Sequence, residues 1–412
     1  MILPFLIAFL LLFLSVPVFS VITILTSYLY KTADINITSM VIEFLRLSSM
    51  PSLIAIPLFS FAGFILASSN APNRLFNLFS SIFGWMKGGI VLGAIISASI
   101  FTAFSGASGI TIIALGGILL PILLKYGYSE NFSLGIISTT GSLGLLIPPS
   151  LPVILYSIVA KLDLNILFKK SLIYGIVIII IFYIYSYIIS KKNNIKPERF
   201  DYEKLKKAIN NTKWEIPLPF IVIGGIYLGS ITASEASSIT CLYVLVVEVF
   251  INKEIKINQL GDIIIKTMLL VGSIFIVLAT ALAFTNYVVD VQIPERLFQY
   301  LSIYIKNKYV FLIILNIIIL MINMIEIFSA IIIVVPIMLP VALNYGIDPI
   351  HLAIIFLINL ELGYMTPPFG INLFLSSLRF NKEITKIYKA VMPFWLILFG
   401  ILLLVTYGGS IR

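Results

Sequence analysis

The 412-residue sequence predicts an all-α polytopic membrane protein made of two related halves, inverted with respect to one another. Hydrophobic residues make up 60% of it and charged residues only 11%, and the mean hydropathy is +1.11. Soluble domains carry roughly 25% charged residues. A chain of this length holds about ten to twelve membrane segments of about 20 residues with their loops. The second observation is internal repetition. An offset of 219 positions carries Pro121, Tyr126, Gly127, Gly144, Pro148 and Pro149 onto Pro340, Tyr345, Gly346, Gly363, Pro367 and Pro368. The third is the stretch 191–213, which carries eight Lys or Arg against three Asp or Glu and divides the copies. By the positive-inside rule it is a cytoplasmic linker. The first repeat is therefore 1–190 and the second 214–412.

In chain order, 2–30 is an uncharged apolar run. It lacks the basic residues that precede the core of a cleaved signal peptide. A second span covers 41–69. Residues 70–87 mix Arg74, Trp85, Lys87 and several Phe on a polar background, as an interfacial amphipathic helix does. The apolar arm before Ser105 has about 16 residues, roughly 24 Å as helix, which is shorter than a hydrocarbon core. Thr102, Ser105, Gly106, Ser108, Gly109 and Thr111 cluster at its end. A short arm, a small polar tip and a second arm predict a re-entrant hairpin over 88–125, with its tip buried or facing a wet cavity. The alternative is a straight helix with a Ser/Gly packing face.

Residues 131–160 form a broken helix and 168–190 another span. In the second half, a Pro/Gly-interrupted segment at 216–230 precedes spans near 236–251 and 262–288 and an amphipathic piece at 294–308. A second hairpin follows over 309–343 with its tip at 323–326, then a second broken helix over 350–378 and a final span over 389–408. The breaks follow from proline chemistry. Each Pro lacks an N–H and its ring clashes with the carbonyl four residues back, which frees the carbonyls of Gly144 and Leu145, and of Gly363 and Tyr364. Bare carbonyls cost several kcal/mol each in hydrocarbon, so they need partners. Matching interruptions in two halves mark the substrate and ion site of a transporter.

The stretches FSGASGITIIALGGILLPILLKYGY, GSLGLLIPPS, GGIYLGSITASEASS and GIDPIHLAIIFLINLELGYMTPPFGINLF resemble the large, DctM-like membrane subunit of tripartite ATP-independent periplasmic transporters over nearly the whole chain. Three places depart from that family's usual pattern. Ser105-Gly-Ala-Ser replaces Ser-Gly-Ser-Ser, Thr232-Ala-Ser-Glu-Ala replaces Thr-Pro-Thr-Glu-Ala, and Glu326 stands where Asp is common. The resemblance implies a sodium-coupled, elevator-type importer of an organic acid in the bacterial inner membrane. It implies a separate small four-helix membrane subunit and a periplasmic substrate-binding protein as partners. Two hairpins and two broken helices would move as one transport body against a scaffold.

Sodium is a hard cation and takes oxygen ligands. Thr102 and Ser105 lie one helical turn apart and can face one side. Opposite them, the backbone at Gly144, Ile147 and Pro149 offers carbonyls, a constellation that resembles the family's first sodium site. Gly363, Thr366 and Pro368 are the symmetric set, with Asn323 and Glu326 from the second tip. Thr366 has a plainer role open to it, satisfying a freed carbonyl. For the carboxylate, half-helices starting at Ser150 and Phe369, with tip residues Ser108 and Asn323, predict a cradle of helix N-termini. Arg379, beside Lys382, reads as an interfacial anchor. Glu235 and Glu361 fall within predicted spans, where a carboxylate is a functional hypothesis, with snorkelling the alternative for Glu361.

Other classes fare worse. One cysteine and one histidine exclude an intramolecular disulfide and make a Cys/His metal centre implausible. The net charge of +9 sits in loops between apolar segments, as anchoring to anionic lipid requires, and not as nucleic-acid binding does. No G-x-x-x-x-G-K-[ST] occurs, so no nucleotide is expected. Gly106-Ala-Ser-Gly with His351 as base would suit an intramembrane serine protease, which leaves the repeat unexplained. A stand-alone sodium/carboxylate symporter is the closer rival.

Overall fold

A computed structural model describes residues 16–47, 49–323 and 327–409 and, among the first fifteen, Pro4, Ile7, Leu10, Leu11 and Leu14. Most of the first predicted span before Val16, and Glu326 with its two preceding residues, lie outside the described residues. Those described are helical and contain no strand.

The first half runs α1 (Val18–Thr32), α2 (Thr38–Leu47), α3 (Ala55–Ser68), α4 (Ala71–Phe83), α5 (Gly89–Ser105), α6 (Ser108–Lys125), α7 (Glu130–Leu143), α8 (Leu151–Ala160) and α9 (Leu164–Lys192). The linker contains α10 (Tyr202–Asn211). After one-turn pieces at 217–227, the second half runs α11 (Ala233–Leu245), α12 (Ile257–Asp290), α13 (Ile293–Tyr304), α14 (Lys308–Asn323), α15 (Ile327–Asn344), α16 (Pro349–Tyr364), α17 (Ile371–Phe380) and α18 (Ile384–Gly408). The 219-residue offset carries α2 and α3 together onto the single helix α12, but elsewhere it relates helices one to one. It carries α6 onto α15 and the start of α7 onto the start of α16.

Short polar side chains start several of these helices by taking backbone N–H groups. Ser129 accepts from Phe132 N, Asp163 from Ile166 N and Asp348 from His351 N. Six described helices are long and apolar enough to cross a membrane, or up to eight if each bent pair counts as one span. That is fewer than the ten to twelve predicted, because α5, α8 and α16 have only 17, 10 and 16 residues. At 1.5 Å per residue none of these spans about 30 Å alone.

Two segments differ from expectation. The span predicted at 41–69 is divided between α2 and α3 at Pro51, where a 3-10 turn covers Pro51–Ile54. The linker is partly helical because Asp201 caps α10, its carboxylate accepting from Lys204 N at 3.0 Å. The predicted amphipathic segment is α4, bent 79° from α3. Its Arg74 is nearly buried and ion-paired to Glu215, Glu248 and Glu254, which ties α4 to the second half.

The halves interlock reciprocally. The half-helix α8, which follows the first break, packs on α15, the second arm of the other half's hairpin, and α17 packs on α6 in the same way. Equivalent parts exchanging equivalent contacts are what a two-fold relation produces.

Candidate functional site

The first break is a tight turn. Leu145 N donates to Ser142 O at 2.8 Å and Ile147 N to Gly144 O at 3.1 Å, then the Pro148–Pro149 bond is cis and Ser150 opens α8. The two carbonyls predicted to be free are not. Gly144 O accepts from Ile147 N, and Leu145 O accepts from the Ser150 hydroxyl. Tightening the turn from i+4 to i+3 bonding, with one serine, supplies what the prolines withhold. The carbonyls of Ile147 and Pro149 receive no hydrogen bond among the described residues. Every residue from Gly141 to Ser150 is buried.

The first hairpin tip presses on this break. A Cβ on Gly144 would strike Ser99 O and Thr102 Cβ and lie 2.6 Å from Ala103 N, so only glycine permits the approach. Thr102 Oγ1 lies 2.6 Å from Thr111 Oγ1 and donates to Gly141 O at 2.9 Å, while Ser105 Oγ reaches only Thr102 O, at 3.5 Å. Both arms of the hairpin and the broken helix thus contribute neutral oxygens to one buried locus. The buried Ser99 Oγ has no partner there. These residues fit a hard monovalent cation. Thr111 and Gly141 were missed in the sequence because neither follows from the repeat; they enter through packing.

The second break is built differently. Gly363 meets the other tip, with a Cβ placed there 2.7 Å from Asn323 Cβ. Thr366 Oγ1 donates to Leu362 O at 2.7 Å and accepts from Trp395 Nε1 at 2.9 Å, and Pro368 O accepts from Tyr388 OH at 3.0 Å. Thr366 therefore takes the plainer role named for it. Asn323 is 1% exposed and Glu361 fully buried, and among the described residues neither the amide atoms of the one nor the carboxylate oxygens of the other find a hydrogen-bond partner. Burial rules out snorkelling for Glu361. An uncompensated buried carboxylate costs several kcal/mol, so a bound proton or cation must balance it. Asn323, against Gly363, fits a cation site, whereas Glu361, two residues before Gly363 on α16, points to the other side of that helix. Glu235, by contrast, is a helix cap, exchanging hydrogen bonds with Thr232 at the start of α11.

A cavity of ≈ 350 Å³ lies between the two tips. Its walls are the first tip from Gly106 to Gly109, Asn323 and Ile327 at the second tip, Tyr364 at the second break, and Ile371 and Leu375 on α17. The chain turns at Gly106 with φ of +68°, a conformation that favours glycine. Two helices, α6 and α17, begin at this cavity with Ser108 and Ile371, and the described part of α15 starts beside it at Ile327. Ser108 Oγ donates to Asn372 Oδ1 at 2.7 Å, and Asn372 Nδ2 donates to Ser138 O at 3.1 Å, which joins the first tip to both broken helices. Asn372 was not foreseen; its place one residue inside the second half-helix was the signal available.

Of the four residues predicted for the cradle, Ser108 and Asn323 line the cavity and two do not. Ser150 is buried against Leu145 O, and Phe369 is 61% exposed away from the lining. The offset equates these two positions, but the tight turn turns one inward and leaves the other on the surface. Ser108 is bonded to an amide and His351 Nε2 lies 2.8 Å from Val405 O, so the hydroxyl–imidazole pair a serine protease needs is not formed.

Residues 5–410 match the family model described as the DctM component of tripartite ATP-independent periplasmic transporters. Among curated relatives, an isethionate permease of this transporter type from Oleidesulfovibrio alaskensis, DctMQ, is 32% identical over 90% of this chain, which spans 59% of that protein. The C4-dicarboxylate large permease DctM of Pseudomonas aeruginosa is 29% identical, with 90% of this chain and 88% of the relative covered. The sialic acid large permease SiaM of Vibrio cholerae is 27% identical, at 96% and 93% coverage. Among solved structures, the Alcanivorax borkumensis YdaH transporter superposes with a TM-score of 0.59 at 12% identity, covering 90% of this chain and 88% of that one, a likeness of fold alone. The chain belongs to the DctM component family of tripartite ATP-independent periplasmic transporters.

Proposed function

We propose that this chain is the large membrane subunit of a sodium-gradient-driven importer of a small organic acid across a bacterial inner membrane. A periplasmic binding protein delivers the acid, and a small four-helix membrane subunit completes the membrane complex. The observation that carries this reading is the convergence of two helix N-termini, those of α6 and α17, on one cavity whose described lining contains no acidic side chain. Each N-terminus presents unpaired N–H groups and about half a positive charge, so the cavity favours an anion. A carboxylate or sulfonate would sit there with Ser108 and Asn323 as hydrogen-bond partners.

Sodium is assigned to two places. The first is the oxygen cluster of Thr102, Ser105 and the Gly144, Ile147 and Pro149 backbone; the second is at Gly363 and Asn323 with Glu326, the Thr366 hydroxyl and the Pro368 carbonyl being taken up by Leu362, Trp395 and Tyr388. Both flank the tips that wall the cavity, so ions bound there would order the tips and raise affinity for the acid. This is coupling through a shared element.

The halves are inverted, as Glu130 supports. It stands at the start of the first broken helix and pairs with Lys382, just past the end of the second, at 2.7 Å. The start of one helix beside the end of its counterpart means opposite directions. Because each hairpin is packed by the other half's half-helix, hairpins and broken helices can move as one body in an elevator step.

The test is uptake into proteoliposomes holding this chain and its small partner, with candidate acids, an imposed sodium gradient, and the binding protein added or withheld. Uptake that requires both sodium and the binding protein is expected. Uptake with sodium alone would replace the tripartite reading by a stand-alone symporter, and uptake indifferent to sodium would overturn the ion assignment.

A further inference from the structure

The helices α6 and α17, which both line the cavity, pack directly on one another, Leu375 against Gly109 and Phe380 against Gly116. On α17, Ile371, Leu375 and Arg379 recur every fourth residue on one face, and the first two line the cavity. On α6, Ile113 lines the cavity and Gly117 lies one turn further along the same face. Arg379 lies at the end of this contact. Its guanidinium lies over Gly117, where an added Cβ would strike Nη2 and come within 3.0 Å of Cζ. The bare backbone of Gly117 is what gives the guanidinium room beside Ile113.

Arg379 also differs in charge balance from the cations near it. Lys382 and Lys386 both pair with Glu130. Arg379 is exposed and, among the described residues, forms no ion pair or hydrogen bond. A role as anchor against lipid needs only a charge at the interface. It does not need the charge folded back over a glycine one turn from a cavity wall. An unpaired guanidinium offers five donors in a planar fork that matches a carboxylate or sulfonate bidentately.

We propose that Arg379 is an anion-recognising residue one turn beyond the cavity wall, engaging the acid group of the substrate as it leaves the cavity at this end of α17. This rests on the proposed transport function for the identity of the ligand. The charge itself does not depend on it. This end of α17 lies beside Glu130, which pairs with Lys382, and near Tyr128, whose OH lies 2.7 Å from Ser190 Oγ next to the basic linker. With that linker cytoplasmic, Arg379 faces the side of release.

Two experiments separate this inference from the function beneath it. In full-length protein with Cys241→Ser and Ile113→Cys, the cysteine is labelled in membranes with an anionic and with a cationic methanethiosulfonate reagent. Replacing Arg379 by Gln should lower the anionic-to-cationic rate ratio about 5-fold or more, and Arg379→Lys should keep it, because a cation lying over Gly117, one helical turn from the labelled position, biases the two reagents oppositely. An unchanged ratio in Arg379→Gln overturns the proposal, whatever the substrate. In proteoliposomes, isethionate, succinate and N-acetylneuraminate serve as transport probes. For any that is moved, Arg379→Gln should raise KM about 10-fold with little change in kcat. An unchanged KM returns Arg379 to an interfacial anchor while the transport function stands. If the unsubstituted complex moves none of the three, the functional reading fails and the labelling ratio still decides Arg379.

Discussion

The two breaks share a motif, Gly four residues before a cis Pro-Pro pair, yet the chain finishes them in opposite ways. The first is buried throughout, closed by its own turn and by Ser150, and faces hydroxyls from both arms of a hairpin. In the second, Pro368 and Phe369 are exposed, and two aromatic side chains of the next helix, Trp395 and Tyr388, occupy Thr366 and Pro368. The proline motif therefore dictates where a helix stops but not which polar groups remain for a ligand. That is decided by what packs on the break. At the first, the groups left over are neutral oxygens already gathered around Thr102. At the second it is the amide of Asn323, without a partner among the described residues.

This contrast is broken most forcefully at the glycines. Gly144→Ala would drive a methyl into the backbone of Ser99 and Ala103, which cannot shift without moving the hairpin. Overpacking of this kind costs about 1–3 kcal/mol, and the misplaced tip should reduce uptake about 100-fold. Gly363→Ala meets Asn323 Cβ at 2.7 Å and its backbone no closer than 3.0 Å, so a smaller loss, about 10-fold, is expected. Equal losses, measured as initial rates at matched protein levels, would mean that the two breaks are not differently packed.

The threonines sharpen the same point with less damage. Thr102→Ala removes a hydroxyl whose neighbours are a second hydroxyl and a carbonyl, and should raise the sodium concentration for half-maximal uptake about 10-fold. Thr366→Ala should raise it only about 2-fold, because that hydroxyl is committed to Leu362 O and Trp395. Its main cost is a Trp395 N–H without an acceptor, about 1–2 kcal/mol of stability. Trp395→Phe in the Thr366→Ala background should recover most of that loss in a thermal melt. Sodium dependence unchanged in both threonine variants would remove both ion assignments.

The residues explain how far the sequence could be read. The hairpin arms, breaks and repeat offset were legible because glycine, proline and hydropathy act locally, and the helix ends fall within a few residues of the predicted ones. The interior of the site was legible only where the repeat pointed at it. Thr102 and Asn323 were reached that way. Thr111, Gly141 and Asn372 were not, since a hydroxyl or amide inside an apolar helix gives no local sign of which neighbour it will meet. Ser150 and Phe369 failed for the converse reason, symmetry of sequence position without symmetry of surroundings. Glu361 was visible as a carboxylate in a span, but its complete burial depends on how α16 is packed by the helices around it.

The smallest effect expected is at the clamp between the copies. Lys382 and then Lys386 hold the Glu130 carboxyl below its ordinary value of 4.5 by hydrogen bonding, outside the apolar segments. Because the folded-state value is lowered, the clamp contributes fully above the unfolded value and is lost as pH falls through the folded one. Glu130 is about a third exposed, so solvent and salt screen it, and at most about 1 kcal/mol is at stake. Glu130→Gln should lower the melting temperature by about 1–3 °C at neutral pH and low salt. The difference should shrink in high salt and vanish below the folded-state value, where the unsubstituted protein has lost the charge too. A difference that grows on acidification would mean that Glu130 acts in its protonated form, and that the copies are joined at that end by packing and not by charge.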